Sequence, residues 1–77
     1  MLIEYSPHAK ARQAERKVSN YLVYLALHEP DSVTPLPGVE RVCCQKTLPD
    51  GKILKVIAAK GAGTGVIVVT VFIRERN

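Results

Sequence analysis

The sequence contains few aromatic residues: among its 77 residues there is no tryptophan, one phenylalanine and three tyrosines. Proteins that hold single-stranded nucleic acid commonly stack its bases on aromatic side chains. Extensive base stacking is therefore not indicated. A chain of this length also buries only about 60% of the surface that its unfolded form exposes. Its core is therefore too small to enclose a large cofactor, and none is predicted.

Cysteines are also scarce, and the two that are present, Cys43 and Cys44, are neighbours. Adjacent side chains on a strand point to opposite faces, so a disulfide between them is not expected. The chain has no C-x-x-C pair and no histidine cluster at zinc spacing, and we predict no metal site. Unpaired thiols fit a reducing compartment, so the expected location is the cytoplasm.

Long apolar runs are missing as well. The longest one, Val66–Ile73, spans eight residues and includes Thr70, whereas a membrane helix needs about 20 residues. Glu4 interrupts the first apolar segment, so a signal peptide is not expected. These patterns argue against a membrane protein.

Charge of neither sign dominates. The net charge is +4, and residues 1–28 and 29–77 each contribute +2. A positive charge spread in this way permits an anionic partner such as RNA but does not require one. With 47% hydrophobic residues, residues 1–77 are expected to fold as a single domain.

The first half of the chain predicts two helices. Ser6 can cap free backbone N–H groups, and Pro7 suits the first helical position, so a helix is expected from Pro7 to about Lys17. Ser19 is predicted to be a second N-cap, and a helix is expected over residues 20–28, which Pro30 ends.

The second half predicts a sheet. Residues 2–5 are expected to form a short strand, and the proline-rich residues 31–38 are expected to form a linker. Three strands should follow, over residues 40–48, 52–59 and 66–74. The predicted fold class is α+β, in which a short N-terminal strand and two helices precede a three-stranded antiparallel meander packed on the helices.

The last strand alternates in a way that predicts its buried face. Its odd-numbered positions are all apolar, so they are expected to pack on the helices, and Thr70 and Arg74 are then expected to face away. The odd-numbered set is Ile67, Val69, Val71 and Ile73.

A basic column on the first helix is the main candidate for chemistry. His8, Arg12 and Arg16 follow at spacings of four, which places them on one helix face. A neutral histidine can act as a general base, and guanidiniums can hold a phosphate. Metal-independent RNA cleavage needs a base and cations of this kind. The alternative is a solvated helix face on which Glu15 pairs weakly with the arginines.

Basic residues on the strands are candidate RNA or phosphate contacts, and they are Lys46, Lys55 and Arg74. Lys55 is in phase with Ile53 and Ile57 and therefore interrupts an apolar face. It either lies at a sheet edge, where lysine discourages edge pairing, or contacts a phosphate.

The motif S-x-H-A-x-x-R-x-x-x-R, which begins at Ser6, resembles that of a small domain family of bacteria and archaea. The similarity continues through Val18-Ser19 and Glu29-Pro30 to V-V-T-V, which begins at Val68. The family in turn resembles RelE-like and BrnT-like toxins of the barnase–colicin–RelE group of ribonucleases. It often has glycine at the position of Lys17.

The resemblance implies a RelE-like fold and a metal-independent endoribonuclease. It makes His8 a candidate general base or acid, Arg12 and Arg16 candidate phosphate binders, and Thr70 a group that orients the site. RNA and an antitoxin-like protein are the implied partners. The rival hypothesis is a non-enzymatic module that binds a partner protein or forms a homodimer, since a small core gains from added buried area.

Overall fold

In the computed structural model, which describes residues 2–75, a five-stranded sheet carries two helices on one face. The α+β class is therefore confirmed. In chain order the elements are β1 (Ile3–Tyr5), α1 (Pro7–Arg16), α2 (Asn20–His28), β2 (Ser32–Pro35), β3 (Arg41–Thr47), β4 (Ile53–Lys60) and β5 (Val66–Arg74).

The strand order across the sheet is β1-β5-β4-β3-β2. β1 runs parallel to β5, and every other neighbouring pair is antiparallel. The predicted meander corresponds to β3, β4 and β5. The prediction of only three strands in this half is wrong, because β2 also pairs, with β3, where a linker was expected. Proline signals a loop in the sequence, yet Pro35 is tolerated at the end of a strand that lies on the sheet edge.

Both helices begin where the sequence predicts. The Ser6 side chain accepts a hydrogen bond from the Ala9 N–H, and the Ser19 side chain accepts one from the Leu22 N–H. Lys17 caps the C-terminus of α1: it takes a left-handed conformation with φ 56° and donates its N–H to the Gln13 carbonyl. Glycine adopts this conformation most easily, so the lysine at this position is unusual.

A β-bulge changes the phase of β5. Thr70 pairs with Ile57 and Val68 with Ala58, so Val69 is the extra residue between them. As a result Val68 and Val71 both face the helices and are fully buried. The prediction that all odd-numbered positions face the helices is therefore wrong for Ile67. A bulge shifts the alternation by one residue, and the apolar sequence carries no mark of it.

The hydrophobic core lies between the helices and one face of the sheet. Its buried members are Ala9, Val18, Val23, Ala26, Leu54, Val56, Val68 and Val71. Burial of this apolar surface is the main stabilising term for the fold. Within residues 2–75, no helix is long and apolar enough to cross a membrane.

The opposite face of the sheet, called the open face below, carries neither helix. The strand register assigns to it Glu4, Ser32, Thr34, Arg41, Cys43, Gln45, Thr47, Ile53, Lys55, Ile57, Ala59, Ile67, Thr70, Phe72 and Arg74. Cys43 and Cys44 are free thiols, and alternation along β3 places them on opposite faces.

Candidate functional site

Ser6 positions the start of α1 against β5. Its N–H donates to the Val68 carbonyl over 3.0 Å, and its hydroxyl donates to the Val69 carbonyl over 2.8 Å. The same hydroxyl oxygen accepts the Ala9 N–H over 3.0 Å. One serine therefore caps the helix and ties it to the bulge. The sequence predicts the cap alone, because the partners in β5 are more than 60 residues away.

The basic column (His8, Arg12 and Arg16) lies on α1, with His8 and Arg16 exposed and Arg12 partly buried. The buried side of α1 is occupied by Ala9 and Gln13. Four residues of α-helix rise about 6 Å, so successive members of the column are spaced for contacts along an extended anion. The solvent can reach both ends of the column.

Glu15 is the carboxylate that pairs with the column, through Arg12. Its Oε2 lies 2.7 Å from Nη1 of Arg12, in a pair whose side chains are 54% and 42% exposed. Exposed pairs of this kind contribute between 0 and about 1 kcal/mol, so an incoming phosphate can displace the carboxylate at small cost. The predicted pairing of Glu15 with the arginines is thus present for Arg12.

Backbone donors add little at the start of α1. Pro7 has no N–H, and the N–H groups of Ala9 and Lys10 both bond to Ser6. Within the part of the chain that the structure describes, the His8 N–H is the first-turn donor without a protein acceptor. An anion held here would therefore depend mainly on side chains, with the helix dipole as a smaller contribution.

The strand residues predicted as site residues do not lie with the column. Thr70, Lys55 and Arg74 are on the open face, whereas α1 packs on the other side of the sheet. The structure therefore does not bring Thr70 to His8. Lys46 lies on the helix side and donates from Nζ to the Glu29 carbonyl over 2.7 Å, which ties β3 to the end of α2.

Lys55 lies in the middle of the open face. Its Nζ is 5.9 Å from the centroid of the Phe72 ring, near the limit for a cation–π contact. β3 and β5 flank β4, so Lys55 is not at a sheet edge. The edge alternative is wrong for this residue.

An open depression of about 490 Å³ lies beside the turn between the helices. Gln13 closes its floor: the side chain is 8% exposed, and Nε2 donates to the Val18 carbonyl and to Oδ1 of Asn20. Burial raises the pKa of the Tyr5 phenol at its rim. The lining residues are Tyr5, Lys10, Gln13, Ala14, Val18, Ser19 and Asn20. The basic column does not line it.

No group of three or more His, Cys, Asp or Glu side chains among residues 2–75 is arranged to hold a metal ion. In comparisons with known proteins, no family model, no curated protein and no solved structure matches the chain. The site is therefore interpreted from its own geometry.

Two features of the molecule escape sequence reasoning. Gln13 is a buried structural residue, for which the only signal is a polar side chain on an alanine-rich helix. The second feature is the open face, which forms one continuous surface. Its signal is the series Ile53, Lys55, Ile57, which shows a mixed face but not that the helices leave it uncovered.

Proposed function

We propose that the protein acts on RNA in the manner of the RelE-like ribonucleases, without a metal ion. In this proposal Arg12 and Arg16 hold the phosphate backbone, and His8 is the general base. The observation that carries the proposal is the accessible basic column on α1, in which a single weak ion pair competes with a phosphate.

The proposed reaction uses the ribose 2′-hydroxyl as nucleophile. His8 takes the 2′-hydroxyl proton while the 2′-oxygen bonds to the neighbouring phosphorus. The bond from phosphorus to the 5′-oxygen then breaks, the 5′-oxygen takes a proton from water, and the hydroxide left behind takes the proton that His8 gained. Arg12 and Arg16 stabilise the charge that develops on the phosphoryl oxygens. The products carry a 2′,3′-cyclic phosphate and a 5′-hydroxyl.

The test is cleavage of a labelled RNA by purified protein in excess chelator, with wild type beside His8→Ala. Loss of a general base lowers rates by about 10²–10⁴-fold, so we expect cleavage by wild type and nearly none by the variant. Equal cleavage by both proteins would remove His8 from the mechanism. The product ends should carry the cyclic phosphate.

RNA binding gives a second readout that does not require chemistry. For single strands, each phosphate contact contributes about −0.7 to the slope of log affinity against log salt. Arg16→Ala should therefore make this slope shallower by about 0.7. Lys10→Ala is the matched control, because it removes one charge from α1 at the depression rather than at the column. Equal slopes in the two variants would contradict the role of the column.

A second candidate function is a non-enzymatic module that forms a homodimer through β2. All four residues of β2 are exposed, and one side of this strand is unpaired by any described strand. Val33 in its centre is 52% exposed. Pairing of two β2 edges would continue the sheet across the dimer and cover Val33.

Sedimentation equilibrium tests the homodimer. We expect wild type to dimerise and Val33→Lys to be monomeric, because the substitution puts two charges at the shared edge. Val39→Lys is the control, since Val39 is equally exposed but lies outside the strand. A monomeric wild type at all concentrations, or equal effects of the two lysines, would refute this candidate.

A further inference from the structure

The open face is a largely apolar surface that neither helix covers, and among the residues assigned to it Cys43 alone is buried. Ile53, Ile57, Ile67 and Phe72 lie on it and are each partly exposed. Both helices instead bury the other face, through Ala9, Val23 and Ala26. A sheet face this apolar is ordinarily packed against another layer, and an uncovered one marks an interaction surface.

Three cations are distributed along the same face. Arg74 pairs in register with Ile53 at one end, Lys55 lies in the middle, and Arg41 pairs with Ala59 at the other end. Glu4, opposite Ile67, is the only carboxylate that the described register places there. The surface therefore combines an apolar band with positive charge along its whole length.

The dimensions of the band match those of one helix. Strands lie about 4.8 Å apart, so β3 and β5 are separated by about 10 Å, which is the diameter of an α-helix. From Ile53 to Ala59 the strand extends about 20 Å. A helix of about 14 residues has that length.

We propose that the open face binds an acidic amphipathic helix of a partner protein. Apolar side chains of that helix pack on Ile53, Ile57 and Phe72, and its carboxylates pair with the three cations. The proposal does not depend on RNA activity, because the basic column lies on α1, outside the open face.

Two other occupants fit less well. A second copy docked face to face would bring Lys55 and its neighbouring arginines against their own equivalents, and like charges at an interface are unfavourable. RNA would satisfy the cations, but its bases stack on rings, and this face offers one ring among branched aliphatic side chains. The apolar band favours a protein helix.

The test is a titration of ¹⁵N-labelled protein with two synthetic 14-residue peptides. Both carry leucines on one helical face, with glutamates on the flanks in one peptide and lysines in the other. We expect the glutamate peptide to bind at least tenfold more tightly and to shift the amides of β3, β4 and β5. Equal affinity for the two peptides would overturn the proposal.

Charge-reversal variants of two lysines on β4 give a second test of the same titration. Lys55→Glu should remove the preference for the glutamate peptide, whereas Lys60→Glu should keep it, because Lys60 alternates to the other side of β4. Equal behaviour of the two variants would refute the proposal. A single-stranded RNA 12-mer that shifts the same amides with higher affinity would assign the face to RNA instead. Neither titration measures cleavage, so the result is separate from the test of His8.

Discussion

At the scale of single residues, Lys17 is strained because it adopts a left-handed backbone conformation, which a glycine would adopt without a Cβ clash. A non-glycine residue in the left-handed region pays roughly 1–2 kcal/mol, and glycine pays about 0.5–1 kcal/mol of extra chain entropy. Lys17→Gly should therefore raise the free energy of unfolding by about 0.5–1 kcal/mol, as measured by urea denaturation. The N–H that bonds to the Gln13 carbonyl is kept in the variant.

A matched substitution in the same helix should have the opposite sign. Lys10 lies in the interior of α1, where glycine costs about 0.5–1 kcal/mol relative to alanine. Lys10→Gly removes the same charge and should lower stability. If both variants were destabilised alike, the strain at Lys17 would not be the controlling factor.

At the scale of elements, the attachment of β1 depends on a close approach at Gly65. A Cβ added there would lie 2.9 Å from the Leu2 carbonyl oxygen and 3.1 Å from that of Ala62. The Leu2 oxygen also accepts the Val66 N–H over 2.9 Å. Any side chain at this position must push β1 away from β5.

Gly65→Ala should therefore destabilise the protein by about 1–3 kcal/mol, the usual cost of overpacking. Amide exchange should accelerate first at Val66 and Ser6, whose N–H groups join the two strands. Thr64→Ala, in the exposed loop beside it, should leave both measurements unchanged. If the amide exchange rates of Gly65→Ala equalled those of wild type, β1 would tolerate the displacement.

Sequence predicts the local elements well, because their signals are local. Ser6 and Ser19 cap the helices as predicted, and the last strand spans Val66–Arg74 as predicted. β2 is not predicted, because among the described strands it pairs with β3 alone, and a four-residue strand with a proline has no pattern of its own. The bulge at Val69 is missed for a similar reason, since it is decided by pairing with β4.

The same distinction applies to the candidate site. The basic column can be predicted from spacing, because one helix carries all three residues. The alternation of the last strand also predicts that Thr70 and Arg74 face away from the helices, and the strand register confirms this. The resemblance that placed Thr70 at the site with His8 is therefore not matched by the geometry.

At the scale of the whole molecule, stability should fall in acid through Asp31. Hydrogen bonding from the Thr47 N–H holds the pKa of the Asp31 carboxyl below its ordinary value. The ionised form is thus favoured in the folded state. Its contribution is complete above the unfolded pKa of about 3.9 and is lost as pH falls through the lower folded value.

Asp31→Asn should therefore lower the melting temperature at pH 7, and the difference from wild type should shrink below about pH 4. Thermal denaturation between pH 2 and pH 7 measures this. Glu40→Gln is the control, since it removes one carboxylate that has no hydrogen bond among those described for residues 2–75. A difference at pH 7 that persisted unchanged at pH 2 would show that the carboxylate charge is not the cause.

The parallel pairing of β1 with β5 has a consequence for how the protein is made. Ser6 binds carbonyl groups of Val68 and Val69, so the first strand and the start of α1 find their partners more than 60 residues later. During translation these segments leave the ribosome long before β5 exists. The meander can assemble only once β5 has emerged, and β1 stays without its pairing strand until then, so the edge of the sheet that holds the start of α1 is completed late.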